Sequence, residues 1–236
     1  MIICGGDEAG RGAFVGPLVV AVVSVKKSLM HRLPELGVRD SKMLPPKRRE
    51  QLYGSIMDLA EDVRFSAVSA SEINEAMRNR VSINTLEAKH FAMLLDEMEG
   101  VSTFYIDSPD VVAEKFGVRI NALSYSPTFI PGIKAKKKDT GKAIRIIAEH
   151  KADAKYPVVS AASIIAKIHR DHEMERLSRL LDIDLGSGYP SDSTTIDAIK
   201  ANHRNAELDQ YLRKYWKTAA NIKQSRLTGF AGFGAE

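Results

Sequence analysis

The chain has one cysteine, Cys4, in 236 residues, so no internal disulfide can form and a reducing, cytoplasmic setting is expected. It has no apolar stretch near the roughly 20 residues that a membrane span requires, and no membrane association is expected. The N-terminus lacks the charged n-region and cleavage site of a secretory signal. Internal repeats and low-complexity segments are also missing, which leaves an ordinary globular chain with one sizeable core or a core plus a smaller appendage. At 44% hydrophobic and 27% charged residues, the composition agrees.

Positive charge is in modest excess, with a formal net charge of +4 and a pI of about 9.0. That permits a polyanionic partner without requiring one. The excess is clustered at Lys47-Arg48-Arg49, at residues 134–138 (KAKKK) and between Arg213 and Arg226. Each cluster taken alone reads as a solvated face.

Residues 1–6 read as a strand and 14–25 as a β-rich run. Pro45-Pro46 open a helix to Asp62 with Leu52, Ile56 and Leu59 at helical spacing. A strand over 63–70 follows, then a helix capped by Ser71 and a longer one over 82–99. The stretch STFYI ends a strand on Asp107, a helix over 109–116 and a strand over 119–125 come next, and AIRIIA (143–148) is a further strand. Residues 157–181 read as a long amphipathic helix, broken at Gly186-Ser187-Gly188-Tyr189-Pro190. Two short polar helices, over 193–203 and 206–217, and a flexible tail from Asn221 complete the chain. Strands alternating with helices predict an α/β sheet covered by helices, with a helical appendage beginning near Gly186.

Three acidic positions then share one address. Asp7 follows the first strand within GGDEAGRG, Asp107 follows STFYI, and Asp153 lies just beyond AIRIIA. Ligands of open α/β sheets gather at the carboxyl ends of strands, so adjacent strand ends would bring these carboxylates together, with Glu8 beside Asp7. Like charges packed together repel, and a hard divalent cation is the natural neutraliser. Other chemistries fit less well. Arg11-Gly12 stands where a phosphate loop needs Lys and then Ser or Thr. His169-Arg170-Asp171 echoes a kinase catalytic loop without its asparagine or glycine-rich loop, and no Gly-x-Ser-x-Gly elbow exists to expose a serine nucleophile. His169, His172 and Glu173 are more readily a solvated helix end than a zinc site.

Taken together, DEAGRG at 7–12, DSK at 40–42, YIDSPD at 105–110, HKAD at 150–153, VVSAASIIAKIHRD at 158–171 and SGYPSD at 187–192 closely resemble the ribonuclease HII family in its archaeal form. The resemblance covers nearly the whole chain. It implies a ribonuclease H-like fold: a five-stranded mixed sheet flanked by helices over 1–185, a C-terminal helical substrate-binding domain over 186–220, and a tail over 221–236. It maps the catalytic and metal-binding acids onto Asp7, Glu8, Asp107 and Asp153, which hold two divalent ions, Mg²⁺ or Mn²⁺. The activity implied is hydrolysis of the RNA strand of RNA/DNA hybrids. It includes cutting 5′ of ribonucleotides embedded in duplex DNA, leaving 3′-hydroxyl and 5′-phosphate ends.

By the same resemblance Gly10, Arg11 and Gly12 contact the 2′-hydroxyl and phosphates at the scissile bond, the group that separates RNA from DNA. Tyr189 stacks on the deoxyribose that follows the ribonucleotide. Ser41, Lys42, Asn84, Ser163 and Lys167 are expected phosphate contacts, and the protein is expected to be a monomer. Two other readings stand beside this one: an inactive nucleic-acid-binding module, disfavoured by four intact acids, and a resolvase or exonuclease of the same fold, which should lack both the Gly-Arg-Gly turn and Tyr189. The tail, with Gln224, Leu227 and Phe230, resembles the motif that binds the sliding clamp PCNA. A single helical turn would place Leu227 and Phe230 on one side, and Ala231 stands where the motif carries a second aromatic residue.

Overall fold

The apolar run that opens the chain forms the middle of a mixed sheet. The computed structural model describes residues 1–39, 41, 44–124 and 144–216, with the backbone at 128–129. Six strands lie in the order β3-β2-β1-β4-β6-β5. β1 (Ile2–Ala9) pairs antiparallel with β2 (Leu18–Lys26) and parallel with β4 (Val101–Asp107), which in turn pairs parallel with β6 (Ile144–Glu149). β3 (Asp62–Val68) and the two-residue β5 (Thr128–Phe129) lie at the edges. The five strands of a ribonuclease H-like mixed sheet are present, with β5 a short addition beyond β6.

β2 reads LVVAVVSVK, an unbroken apolar run rather than an alternating one, because both of its faces are covered. On one face Val19, Ala21, Val23 and Val25 pack with Ile3, with Leu52 and Ile56 of α2 (Pro46–Leu59), and with Val158 to Ala166 of α7 (Pro157–Leu181). On the other, Val20 and Val22 join Cys4, Phe104 and Ile146 beneath α4 (Ile83–Asp96) and α5 (Ala113–Leu123). α1 (Arg32–Glu35) and α6 (Ala152–Lys155) are single turns, and α3 (Ala70–Arg78), α8 (Ser193–Ala201) and α9 (Ala206–Asp209) complete the helices.

Several sequence expectations change. The span 119–125, expected as a strand, falls largely within α5. Its buried residues Ala113, Phe116, Gly117 and Ile120 have the spacing of one helical face, and that outweighs the apparent alternation. α3 is capped by Ser69, whose hydroxyl accepts the Glu72 N–H at 3.1 Å, not by Ser71. α7 is not amphipathic along its length: every residue from Val158 to Ala166 is buried, and exposed positions recur only in the second half. The helix expected over 206–217 is the single turn α9.

By internal packing the chain divides into two compact units. The first comprises Met1–Ala9, Val19–Ala67 and Ser82–His169; the second takes in Gly10–Leu18, Val68–Val81 and the chain from Arg170 onward. Three stretches that the sequence reading assigned to the first domain, Gly10–Leu18, Val68–Val81 and 170–185, therefore pack in the second unit. The second unit has its own core of Phe14, Val15, Met174, Leu177, Leu185, Ile199 and Leu208. Arg213 N–H donates to Phe14 O at 2.9 Å, and the Asn74 side chain brackets the chain nearby, donating to Leu212 O at 2.8 Å and accepting from Lys214 N–H at 2.7 Å. Among the described residues no helix is long and apolar enough to cross a membrane.

Glycine at position 5 is required by packing. A Cβ there would lie 2.4 Å from the carbonyl carbon and oxygen of Val158, backbone atoms that cannot swing aside. We expect Gly5→Ala to destabilise the protein by about 1–3 kcal/mol, the usual cost of overpacking a dense core. Thermal unfolding checks this, and an unchanged melting temperature would show that α7 can lift from β1 at no cost.

Candidate active site

Asp7 and Glu8 lie inside β1 rather than after it, still paired with Ala21 and Val20 of β2. Side chains alternate across a strand, so Asp7 shares the face of Ile3 and Gly5, on which α7 packs. The parallel register places Gly6 beside Ile106, so the next positions, Asp7 within β1 and Asp107 at the end of β4, lie side by side on neighbouring strands. Asp107 in turn sits opposite Glu149 of β6. Past β6 the chain turns at Lys151, held in the left-handed region at φ 57°, and enters α6. Ala152 N–H donates to Asp107 Oδ1 at 2.7 Å, orienting that carboxylate, and Asp153 follows as a buried residue whose carbonyl accepts the Ser160 hydroxyl at 2.5 Å. The strand ends and α6 thus bring in the acids from the positions that the sequence indicated.

The electrostatics are those of crowded carboxylates. Burial first, and then the charges of Glu8 and Asp107, push the Asp7 carboxyl well above its usual range. The Ser163 hydroxyl and the Glu8 N–H, 2.8 Å from Asp7 Oδ1, pull it partly back. None of these influences is a cation. Glu149, which the sequence reading missed, is treated differently: hydrogen bonds from Lys155 at 2.6 Å and from Tyr156 at 3.0 Å lower its pKa. Glu149 is therefore a neutralised neighbour of the cluster.

The donor chemistry fits a hard divalent cation, since the oxygens are carboxylate oxygens and no cation among the described residues offsets the charge on Asp7. Among the described residues, however, no group of three His, Cys, Asp or Glu side chains is gathered closely enough to hold an ion as it stands. The repulsion that raises Asp7 also opposes tighter packing of the acids. The His169 neighbourhood is not a zinc centre: its ring stacks on Phe65 with centroids 3.5 Å apart and meets Tyr53 edge-on at 5.7 Å.

The expected phosphate contacts are placed as follows. Ser41 and Ser163, 122 positions apart, share a 2.8 Å hydroxyl–hydroxyl hydrogen bond, so Ser163 links Asp7 to the segment carrying Ser41. Arg49, counted in a basic cluster, is buried and donates to Ser41 O at 3.3 Å and Leu44 O at 2.7 Å, so it holds a loop rather than forming a solvated face. Lys167 is half-buried on α7, one turn beyond Ser163. Asn84, at the start of α4, donates its amide to the Asp110 carboxylate, which Arg119 also meets at 3.5 Å. Asn84 is thus engaged within the protein. Lys42, the 134–138 lysine loop and the tail residues Gln224, Leu227 and Phe230 lie outside the described residues.

The Gly-Arg-Gly turn and Tyr189 belong to the second unit. Gly10 has φ 88°, a conformation that favours glycine, and its N–H donates to the Tyr189 hydroxyl at 3.0 Å. A Cβ at Gly12 would rest 3.7 Å from Tyr189 Cε1, so both glycines meet the tyrosine. Two further residues appear that sequence reasoning missed. Arg170 is fully buried with its guanidinium 4.9 Å from the Tyr189 ring centroid, and Arg213, also fully buried, donates to Gly16 O at 3.1 Å and to Arg11 O at 3.0 Å. Burial, and next the charge of Arg170, lower the Arg213 pKa to about 9. The visible signal was an arginine inside a motif, His169-Arg170-Asp171, read there only as a kinase echo.

Comparison with known proteins agrees with this architecture. A family model described as Ribonuclease HII matches residues 4–219. Ribonuclease HII of Pyrococcus furiosus is 40% identical over 228 residues, spanning 95% of this chain and 92% of its own. That of Methanosarcina barkeri is 39% identical over 226 residues, spanning 95% and 96%. Among solved structures, ribonuclease H2 of Pyrococcus horikoshii superposes with a TM-score of 0.80 at 36% identity, covering 95% of this chain and 98% of that one. The structure of a PCNA:RNase HII complex from Archaeoglobus fulgidus gives 0.77 at 35% identity, covering 92% and 96%. Bst-RNase HIII in complex with Mn²⁺ shares the fold, with a TM-score of 0.74 at 21% identity over 95% of this chain and 70% of that one.

The raised Asp7 pKa carries a consequence for stability. Below the unfolded-state value, near 3.8, Asp7 is protonated in both states and contributes nothing; as pH rises toward the higher folded value, folding must hold a proton or bury a charge, and stability falls. In the presence of a chelator, Asp7→Asn should therefore raise the melting temperature at pH 8 and leave it unchanged near pH 3.8. A variant melting below wild type at pH 8 would show that Asp7 is not held against repulsion.

Proposed function

The chain belongs to the ribonuclease HII family and is an endonuclease. From that premise we propose that it hydrolyses the RNA strand of RNA/DNA hybrids and cuts 5′ of ribonucleotides embedded in duplex DNA, leaving 3′-hydroxyl and 5′-phosphate ends. The observation that carries the reading is the acid cluster itself: Asp7 is buried and driven upward by both Glu8 and Asp107, an arrangement that an inactive binding module has no reason to keep. In this reading Asp7, Glu8, Asp107 and Asp153 would hold divalent cations, Mg²⁺ or Mn²⁺. When bound, such ions supply Lewis-acid stabilisation of charge on a reacting phosphodiester.

The chain's own side chains do the remaining work. Ser163 fixes Asp7, and Ala152 N–H fixes Asp107, so that neither carboxylate must be reoriented at the moment of reaction. Lys155 and Tyr156 keep Glu149 committed and out of the cluster. In the second unit the Gly-Arg-Gly turn meets the ribose 2′-hydroxyl, and the Tyr189 ring takes the sugar that follows. A deoxyribose, lacking that hydroxyl, lets the ring lie close. The helices after Gly186 supply the remaining contacts to the duplex, and Lys42 and Lys167 pair with phosphates.

The test is cleavage of a duplex carrying one ribonucleotide, with an all-DNA duplex as control, by wild type and by Asp107→Asn. We expect a single cut 5′ of the ribonucleotide, no cut in the control, and loss of nearly all cleavage in the variant with duplex binding retained. Wild-type-like cleavage by Asp107→Asn would remove Asp107 from the catalytic set, and cutting of the control would overturn the substrate assignment.

A relative of 35% identity was solved with PCNA, which supports a second element of the proposal: the tail binds the cell's sliding clamp through Gln224, Leu227 and Phe230. A peptide spanning 221–236 should bind that clamp, and Phe230→Ala should abolish the binding while leaving clamp-free cleavage unchanged. Binding that survives the substitution would refute the motif.

A further inference from the structure

Arg170 and Arg213 have no assigned role in the reading above, yet among the described residues they head the large side chains that are completely buried. Their environment is unusual for buried arginines. Among the described residues Arg213 Nη2 and Arg170 Nε and Nη1 have no hydrogen-bond partner, and Arg170 Nη1 stands 3.9 Å from the Asp171 carboxylate. The charge of Arg170 lowers the pKa of Arg213, and apolar side chains in place of such buried charges often leave a protein as stable or more so. What they touch is specific. Arg170 Nη2 donates to Ser187 O at 2.5 Å, its plane underlies Tyr189, and its side chain fills the space in front of Gly10, where a Cβ would lie 2.5 Å from Nε. Arg213 spans two carbonyls, that of Arg11 within the turn and that of Gly16 beyond it, and its guanidinium meets the Trp216 ring at 5.3 Å.

We propose that Arg170 and Arg213 are positioning residues that lock the Gly-Arg-Gly turn and Tyr189 into one rigid unit, and that this rigidity sets discrimination for a ribose followed by a deoxyribose. The inference rests on the reading of that turn and of Tyr189 as the substrate-reading elements. The geometry supplies the mechanism. The chain has no cis peptide among its described residues, so the Arg11 carbonyl and the Gly12 N–H point in opposite directions across one planar unit. By holding the Arg11 carbonyl, Arg213 fixes the rotation of the peptide unit that carries the Gly12 N–H at its other end, and Gly12 itself lies against the Tyr189 ring. Arg170 fixes the ring from beneath, through its face, and from behind, through the Ser187 carbonyl. The Gly10 N–H to Tyr189 hydroxyl bond closes the unit.

The experiment uses the full-length protein and two substrates, a duplex with one embedded ribonucleotide and a uniform RNA/DNA hybrid. Arg213→Lys keeps the charge but cannot span two carbonyls, and Arg170→Lys cannot both underlie the ring and reach Ser187. Each should lower cleavage of the embedded ribonucleotide roughly tenfold to a hundredfold, as misplacement of a catalytic geometry does, and change hybrid cleavage much less. The loss should fall on kcat rather than KM, because phosphate contacts elsewhere are untouched. Fluorescence of Trp216, the single tryptophan, should shift in Arg213→Lys. Arg170→Met and Arg213→Met should enlarge the substrate split; if either fails to fold, the lysine variants decide. Tyr189→Ala is the reference. If it leaves the ratio between the two substrates unchanged, the reading of Tyr189 fails and the inference with it. If it shifts the ratio but neither lysine variant does, and those variants only melt at lower temperature, the reading stands and the positioning role is overturned.

Discussion

The seating of α7 on the backbone of β1 is the contact on which the catalytic unit depends. It is possible only because position 5 has no side chain: the Val158 carbonyl group occupies the volume that a Cβ would need. Everything carried on α7 is indexed from that point. Ser160 reaches the carbonyl of Asp153, and one turn on Ser163 reaches both Asp7 and Ser41. A helix standing farther off, as an alanine would require, would break the hydrogen bond that restrains the Asp7 carboxylate. The nine consecutive buried residues from Val158 to Ala166 are the sequence's side of the same constraint, since a helix pressed this closely against a sheet presents no face to water.

Both units accept an electrostatic penalty, with opposite signs. In the first, Asp7 is buried against Glu8 and Asp107; in the second, Arg213 is buried against Arg170. Neither arrangement favours folding, and each could be relieved by a single neutral substitution. Natural proteins keep such penalties where function depends on them, and lose stability there relative to what the fold could reach. Cys4 shows the contrast. It is equally buried, its thiol pushed upward by burial, but it packs against the Met98 sulfur at 3.6 Å in an apolar core and contributes only volume.

Much of this was legible in the sequence, for reasons that can be named. Strand ends were visible as apolar runs meeting acids, so the addresses of Asp7, Asp107 and Asp153 followed, and the helix over 157–181 was found to the residue. The motifs around them carried the family. What was not legible depended on distant contacts. Nothing local says that β1 continues through Asp7 and Glu8, because the pairing of those residues with Val20 and Ala21 decides it. Nothing local marks residues 119–123 as helix, because the burial of Phe116 and Ile120 beneath the sheet decides that. Arg49 and Arg213 read as surface charge, since arginine is seldom buried, and Arg170 read as part of a motif; only the carbonyls waiting for them in the fold show otherwise. The Asp110 carboxylate that accepts from the Asn84 amide, 26 positions away, is likewise invisible locally.

The two penalties also differ in kind, and the difference follows from what each unit must do. A carboxylate cluster that is to receive cations cannot be fully satisfied by the protein, because every internal cation or donor added to Asp7 would weaken its claim on the incoming ion. Among the described residues the donors at Asp7 are a hydroxyl and one N–H, while Glu149 is given a lysine. A surface that must sense one hydroxyl group has the opposite requirement. Discrimination by a missing oxygen fails if the ring or the turn can shift to fill the space, so rigidity has to be built from beneath, where substrate cannot displace it. Guanidinium groups suit that task better than apolar side chains do. Each can hold several backbone carbonyls at fixed angles, and packing alone would leave the turn free to rotate about its glycines.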